Sequence, residues 1–449
     1  MSSVPISAKI DTPRPTLSVF DAVMIVTGIV IGSGIFAFPQ LVANITGSVE
    51  WMFAAWIIGA VLCLIGALCY GELAATFPNA GGDYHFLTLA YGRDVSFYFA
   101  WARVMVITTG PIALGGFVLG DYLSSAFFSF GPHSSAIYAA IVITALTAVN
   151  VAGLRDSART QNLTTSLLVL GMLAVGMASI MAPAPAQPPA VSGFVSGVPS
   201  SLGTALLFVL FTYGGWNEAA YISAEVKGGK NAIIRPLVLS LALITVVYLA
   251  FIAALVHGLG FEGLKASKVP GAEVMNAAFG PIGEKFIGAV ASLAALTTIN
   301  ATMLVGARSN YALGRDWPIV AFMSSWNGGR DAPVKAFLVQ GGISLVLVAI
   351  AAFEKSGVST MVDFTAPVFW FFILLTGIAV FVLRFRFPHV TRPFSVPLYP
   401  ISPIIFCGTC AYLFYRSVTF AQSQNAVYVA LTVMGTGVVA WIVARLAKG

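Results

Sequence analysis

Charge is what this sequence has least of. Only 9% of its 449 residues are Asp, Glu, Lys or Arg, 23 basic against 17 acidic, for a formal net charge of +6. Soluble domains carry roughly 25% charged residues. So few charges do not build a water-facing surface around a chain that is 58% hydrophobic. The basic residues are also scattered a few per loop, which excludes a nucleic-acid interface.

Cysteine and histidine are equally scarce. Cys63, Cys69, Cys407 and Cys410 all lie in apolar runs, where a disulfide framework has nothing to staple. Cys407 and Cys410 form a CxxC, but zinc needs two more ligands and none of His85, His133, His257 or His389 is near them in sequence. These histidines fall in or near loops on different sides, so the clustered nucleophile, base or metal set of a membrane enzyme is missing and the chain reads as a non-enzyme. The start, residues 1–16, is polar and proline-containing, and the first apolar run exceeds a signal h-region, so no cleavable signal is expected.

What the chain has in abundance is apolar length. Its mean hydropathy is +0.91, and at about 20 residues per span it holds about twelve transmembrane helices and little else. The runs fall near 18–44, 51–77, 97–127, 135–153, 164–181, 202–225, 233–258, 281–311, 334–353, 358–387, 400–418 and 426–446. Lys and Arg in alternate loops divide seventeen to five, with Arg103 left inside a span. Positive residues accumulate on the cytoplasmic side, so both termini are expected there. The chain divides into a cytoplasmic tail 1–17, a first five-helix unit 18–181, an external Pro-, Ala-, Gly- and Ser-rich loop 182–201, a second five-helix unit 202–387, and two further helices with a short tail, 388–449.

Spans one and six share an irregularity. Ile31-Gly32-Ser33-Gly34-Ile35-Phe36 interrupts the first, and Thr212-Tyr213-Gly214-Gly215-Trp216-Asn217 the second. Paired glycines weaken a helix and free backbone groups at a depth where lipid cannot satisfy them. Matching interruptions in the two halves of a transporter mark a substrate site, where a half-helix N-terminus presents N–H groups to an anion and freed carbonyls suit an ammonium group. Glycines in membrane helices also serve close packing, and each pair taken alone is open to that reading.

Four segments in order resemble the amino acid, polyamine and organocation transporter superfamily, within it the L-type amino acid transporter branch and its bacterial permease relatives. They are Gly28–Pro39 (GIVIGSGIFAFP), Pro78–Gly92 (PNAGGDYHFLTLAYG), Phe211–Asn217 (FTYGGWN) with Glu225 and Lys230-Asn231, and Leu383–Pro397 (LRFRFPHVTRPFSVP). The resemblance spans nearly the whole chain. It implies an all-α integral membrane fold with two inverted five-helix repeats plus two C-terminal helices, helices one and six broken, and alternating access around a central site. On matching positions it implies that the substrate carboxylate meets N–H groups of Ser33, Gly34 and Ile35. The amino group meets carbonyls near Ile31 and Phe211, Phe211 gates the site, and Gly214 and Asn217 line it.

Departures bear on mechanism. Many sodium-independent relatives carry a lysine midway along helix five, near Leu168 here, yet no Lys or Arg occurs in residues 160–199. Thr297 and Thr298 could lend hydroxyls to a sodium site, or bond their own helix. Glu218 follows the second break where the branch usually has an aromatic or apolar residue. It is a candidate proton carrier, a selector of cationic side chains, or an acid held by the half-helix dipole. Asp363 and Glu72 are further acids expected to face protein or water. Glu225, Lys227, Lys230 and Arg308 are expected to form a cytoplasmic closing network.

Animal members of the branch join a glycoprotein through a cysteine in the external loop after helix three, and residues 129–134 have none. The expected protein is a multi-pass transporter of the bacterial inner membrane, without a disulfide-linked glycoprotein, that moves small or medium neutral amino acids by alternating access. It uses no cofactor beyond a possible coupling ion, proton or sodium, and works as symporter or exchanger. A cationic amino acid or polyamine transporter is the alternative, and a membrane nutrient sensor is the reading from another class.

Overall fold

The computed structural model describes residues 17–79, 81–152, 157–181, 199, 201–222, 226–229, 232–325, 332–354, 356–423 and 427–446. Among these the chain is helical, and its β pairing is a single bridge between Leu17 and Val226. The helices are α1 (Val19–Val30), α2 (Gly34–Ala37), α3 (Pro39–Thr46), α4 (Val49–Thr76), α5 (Gly82–Tyr91), α6 (Arg93–Ala102), α7 (Thr109–Ala126), α8 (Ser134–Ala152), α9 (Ser157–Met181), α10 (Leu202–Thr212) and α11 (Ala219–Ile222). They continue as α12 (Ile234–Ala266), α13 (Pro270–Phe279), α14 (Pro281–Asp316), α15 (Val334–Ala351), α16 (Gly357–Arg386), α17 (Ile401–Ser423) and α18 (Val427–Leu446).

Among the described residues ten helical stretches are long and apolar enough to cross a membrane, and the shorter apolar helices Leu202–Thr212 and Leu431–Leu446 stand where spans six and twelve are expected. Local chemistry sets where they start. Ser18 and Asp21 form a reciprocal capping box at α1, Ser48 caps α4, and Ser356 caps α16, each satisfying N–H groups a helix start leaves free. Pro39, Pro270 and Pro281 occupy the first turns of α3, α13 and α14, where a missing N–H is harmless.

Inside the bundle, small residues let helices approach. A Cβ added at Gly116 would sit 2.8 Å from the Ala139 Cβ, and one at Gly120 would lie 2.5 Å from the Ser135 carbonyl oxygen, so α7 and α8 meet almost backbone to backbone. Aromatic rings fill the wider gaps. Trp56, Tyr213 and Tyr248 pack with centroids 5.1–6.0 Å apart, and Tyr70 meets Trp216 edge-on at 5.1 Å. Cys63, Cys69 and Cys410 are buried in the same interior. The external loop expected at 182–201 lies almost wholly outside the described residues.

Candidate functional site

Both expected breaks are present. α1 stops at Val30, Ile31 leaves helical geometry at φ −73°, ψ 82°, and a new turn begins at Gly34. α10 stops at Thr212, Gly215 turns the chain at φ 108°, a conformation that favours glycine, and a 3₁₀ turn, Trp216–Glu218, continues the segment. Because α2 starts afresh, the N–H groups of its first turn have no carbonyl inside the half-helix to bond and point from its positive end. The ends are clipped together by a residue that no sequence signal singles out. The Tyr248 hydroxyl of α12 lies 2.9 Å from the Val30 carbonyl oxygen and 3.2 Å from that of Thr212, the last residues of the two first halves.

Between the breaks lies a cavity of about 120 Å³. Ser33, Gly34, Phe211, Gly214, Asn217, Glu218 and Thr298 line it, together with residues of the third and tenth spans, among them Thr108, Thr365 and Phe369. Ile31, Ile35 and Thr297 do not. Ile31 and Ile35 are fully buried, so any part they take in binding is through the backbone. Of the two threonines expected at a sodium site, only Thr298 faces the cavity. Its Oγ1 has no partner and lies 2.9 Å from where a Gly32 Cβ would stand. Thr365 Oγ1 also lacks a partner. The half-buried Phe211 ring stands edge-on to Phe38 at 6.5 Å and Phe369 at 6.1 Å, an aromatic wall from three segments.

Arg103 and Glu218 meet at this cavity. Glu218, which the sequence left as a free acid with three possible roles, accepts two hydrogen bonds from Arg103, Nη1 to Oε1 at 3.0 Å and Nη2 to Oε2 at 2.8 Å. The Arg103 side chain is 3% exposed and that of Glu218 17%. Arg103 opens a π turn, Arg103–Ile107, whose looser winding bends α6 into α7. Its guanidinium also lies 4.7 Å from the Tyr221 ring centroid. The missed signal was that an intramembrane arginine needs an acid, and Glu218 was available.

From there a polar seam runs away from the cavity. The Tyr221 hydroxyl donates to Asp83 at 3.3 Å, and Thr376 Oγ1 reaches the same carboxylate at 3.2 Å. Asp83 lies in α5, outside the apolar spans. Burial pushes its carboxyl up, against the pull of neighbouring Tyr70 and Arg103. Glu72, also buried, accepts from Arg384 at 2.7 and 2.5 Å and from the Val396 N–H at 2.7 Å, with Arg392 at 3.6 Å. Of the expected closing network, Glu225 and Lys230 lie outside the described residues. Lys227 and Arg308 are exposed, and neither forms an ion pair among the described residues. The polar closure that is seen gathers instead around Glu72 and Asp83.

The opposite face is open. A cavity of about 540 Å³ there is bordered by the 129–135 and 351–359 connections and carries Asp121, His133, Lys268 and Glu354. Asp363, an acid flagged by the sequence, is buried in α16 and lines neither cavity.

Residues 17–439 match the family described as amino acid permease. The chain is 28% identical over 444 residues to the large neutral amino acids transporter small subunit 2 of Mus musculus, covering 95% of this chain and 80% of that protein. It is 27% identical over 390 residues to the serine/threonine exchanger SteT of Bacillus subtilis (strain 168), covering 86% of each. It is 25% identical over 426 residues to the human cystine/glutamate transporter, covering 92% of this chain and 82% of that protein. With broken helices meeting at a central cavity and a family match across nearly its whole length, this chain belongs to the amino acid permease family, as a multi-spanning membrane transporter of amino acids and not an enzyme.

Proposed function

We propose that this protein exchanges small or medium neutral amino acids across a bacterial inner membrane by alternating access. The observation that carries the reading is the central cavity itself. Free N–H groups at the start of α2 suit a carboxylate and unwound carbonyls suit an ammonium, the two groups every amino acid carries. A water needs about 10–15 Å³ of such space, so 120 Å³ takes on the order of ten non-hydrogen atoms. That matches a small or medium amino acid. Beyond the backbone the walls are apolar rings, threonine hydroxyls, Ser33, Asn217 and the paired Arg103 and Glu218.

Exchange is favoured over ion coupling because Thr297 turns away from the cavity, leaving Thr298 as the one side-chain oxygen of the expected pair beside the first break. Two relatives bear names that speak of exchange and of neutral amino acids, which supports the same choice. Basic residues dominate the loops on the Glu72 side, which supports reading that face as cytoplasmic, with both termini there and the wide polar cavity as an outer vestibule. The closed inner seam and open outer cavity then correspond to an outward-facing arrangement. No cysteine stands in residues 129–134, so the protein is read as working without a disulfide-linked partner.

Purified protein in liposomes tests this. Labelled leucine or threonine enters vesicles preloaded with unlabelled neutral amino acid, and sodium and proton gradients do not change the rate. Accumulation in empty vesicles driven by either gradient would replace exchange with symport.

A further inference from the structure

We propose that the Arg103–Glu218 pair is a charge filter, a neutralised wall of the central cavity that admits amino acids with uncharged side chains and rejects those with charged ones. The proposal rests on the cavity being the amino acid site and names the determinant of substrate class within it.

The two head groups come from different parts of the chain, Arg103 from the π turn of the third span and Glu218 from the 3₁₀ turn after the second break. Among the described residues they are the only charged ones lining the cavity, so its described wall holds one positive and one negative charge in contact. The pairing is bidentate, at 3.0 and 2.8 Å, which uses both carboxylate oxygens and both terminal guanidinium nitrogens. Tyr221 beneath Arg103, with Asp83 bonded to Tyr221, holds the guanidinium from the far side.

A neutral amino acid has its two charges met by the broken helices and asks nothing of this pair. A substrate with a third charge must shed its water beside two head groups already bonded to each other, or pull the pair apart and leave one buried partner uncompensated. Either is strongly unfavourable beside head groups as buried as these. Discrimination thus comes from a built-in penalty against charged side chains. It also follows that neutralising one member unmasks the other. Without the Glu218 charge the cavity presents a free guanidinium suited to an acidic side chain, and without the Arg103 charge it presents a free carboxylate suited to a basic one.

The test is competition against uptake of labelled leucine by the full-length protein in liposomes, using two pairs of similar shape, glutamine against glutamate and norleucine against lysine. For the wild type, the charged member of each pair competes on the order of a hundredfold more weakly. Glu218→Gln improves glutamate relative to glutamine by about tenfold or more, while Arg103→Gln improves lysine relative to norleucine. The double variant Arg103→Gln with Glu218→Gln loses both gains. A brace with no part in selection would lower uptake of every substrate alike and leave both ratios where they were, and that result overturns the proposal. Should a single variant not fold, the wild-type ratios and the double variant decide it. Leucine uptake with equal competition inside each pair defeats the filter and leaves the transport reading standing, whereas no uptake of any amino acid defeats both.

Discussion

Tyr248 shows how much one hydroxyl can do at this site. Its hydrogen serves two carbonyls, those of Val30 and Thr212, that the helix breaks leave without helical partners. Tyr248→Phe therefore removes this donor from the Thr212 carbonyl, leaves the Val30 carbonyl with the Gly32 N–H at 2.8 Å, and lets the half-helices part, at a cost of about 1 kcal/mol. The expected result is a folded protein whose apparent affinity for leucine falls about fivefold, read from the concentration dependence of exchange. Phe211 is a different kind of residue, a ring held by Phe38 and Phe369 at the cavity edge. Phe211→Ala should raise the half-saturation concentration and lower turnover, and unchanged values of both would remove it as a gate. Of the two, Phe211 was legible through its motif. Tyr248 is one of 14 tyrosines, and nothing local in sequence says its hydroxyl meets two carbonyls from distant segments. Arg103 lies between these cases, since its burial in a span demanded an acid although the sequence did not say which.

At the scale of elements, the breaks were readable because glycine pairs flanked by polar residues are costly in a membrane helix. The π turn at Arg103–Ile107 was not, because it holds neither glycine nor proline and arises from packing and from Thr108, whose N–H and hydroxyl both bond the Arg103 carbonyl oxygen, at 3.1 and 2.7 Å. The breaks also set a steric limit. A Cβ at Gly34 would stand 3.3 Å from the Thr212 Cα and from the Phe38 ring. Valine there wedges the two breaks apart at a cost of about 1–3 kcal/mol, a loss of about fivefold to a hundredfold or more in affinity. Exchange kinetics of Gly34→Val check this, and full activity would move the binding site elsewhere.

For the whole molecule, the asymmetry between its two faces matters most. One is sealed by Glu72 with Arg384, Arg392 and the Val396 N–H and by Asp83 with Tyr221 and Thr376, while the other holds the wide cavity with Asp121 and Glu354. The sequence placed the right motifs at this seam, PNAGGDY and the LRFRFPHVTRPFSVP stretch. The partners within it stayed hidden because they join residues about 300 positions apart. Glu72→Gln should weaken the seal, by about 1–2 kcal/mol given that Arg384 and Arg392 keep some solvent. Cys69 is fully buried, and Glu72 and Arg384 are near enough to act on its charge. In a chain keeping it as the sole cysteine, its maleimide labelling should rise on the order of tenfold. No change would mean that the Glu72 cluster does not hold this face shut.

The central claim is that an amino acid binds where the two broken helices meet, and an experimental structure with bound leucine tests it most directly. The account predicts the ligand carboxylate within about 3.2 Å of N–H groups at Ser33 to Ile35. It also predicts the leucine side chain among Phe211, Thr365 and Phe369, with the Arg103–Glu218 pair intact. Leucine found instead beside Asp121 and Glu354 in the larger cavity, with the space between the breaks unfilled, would contradict it.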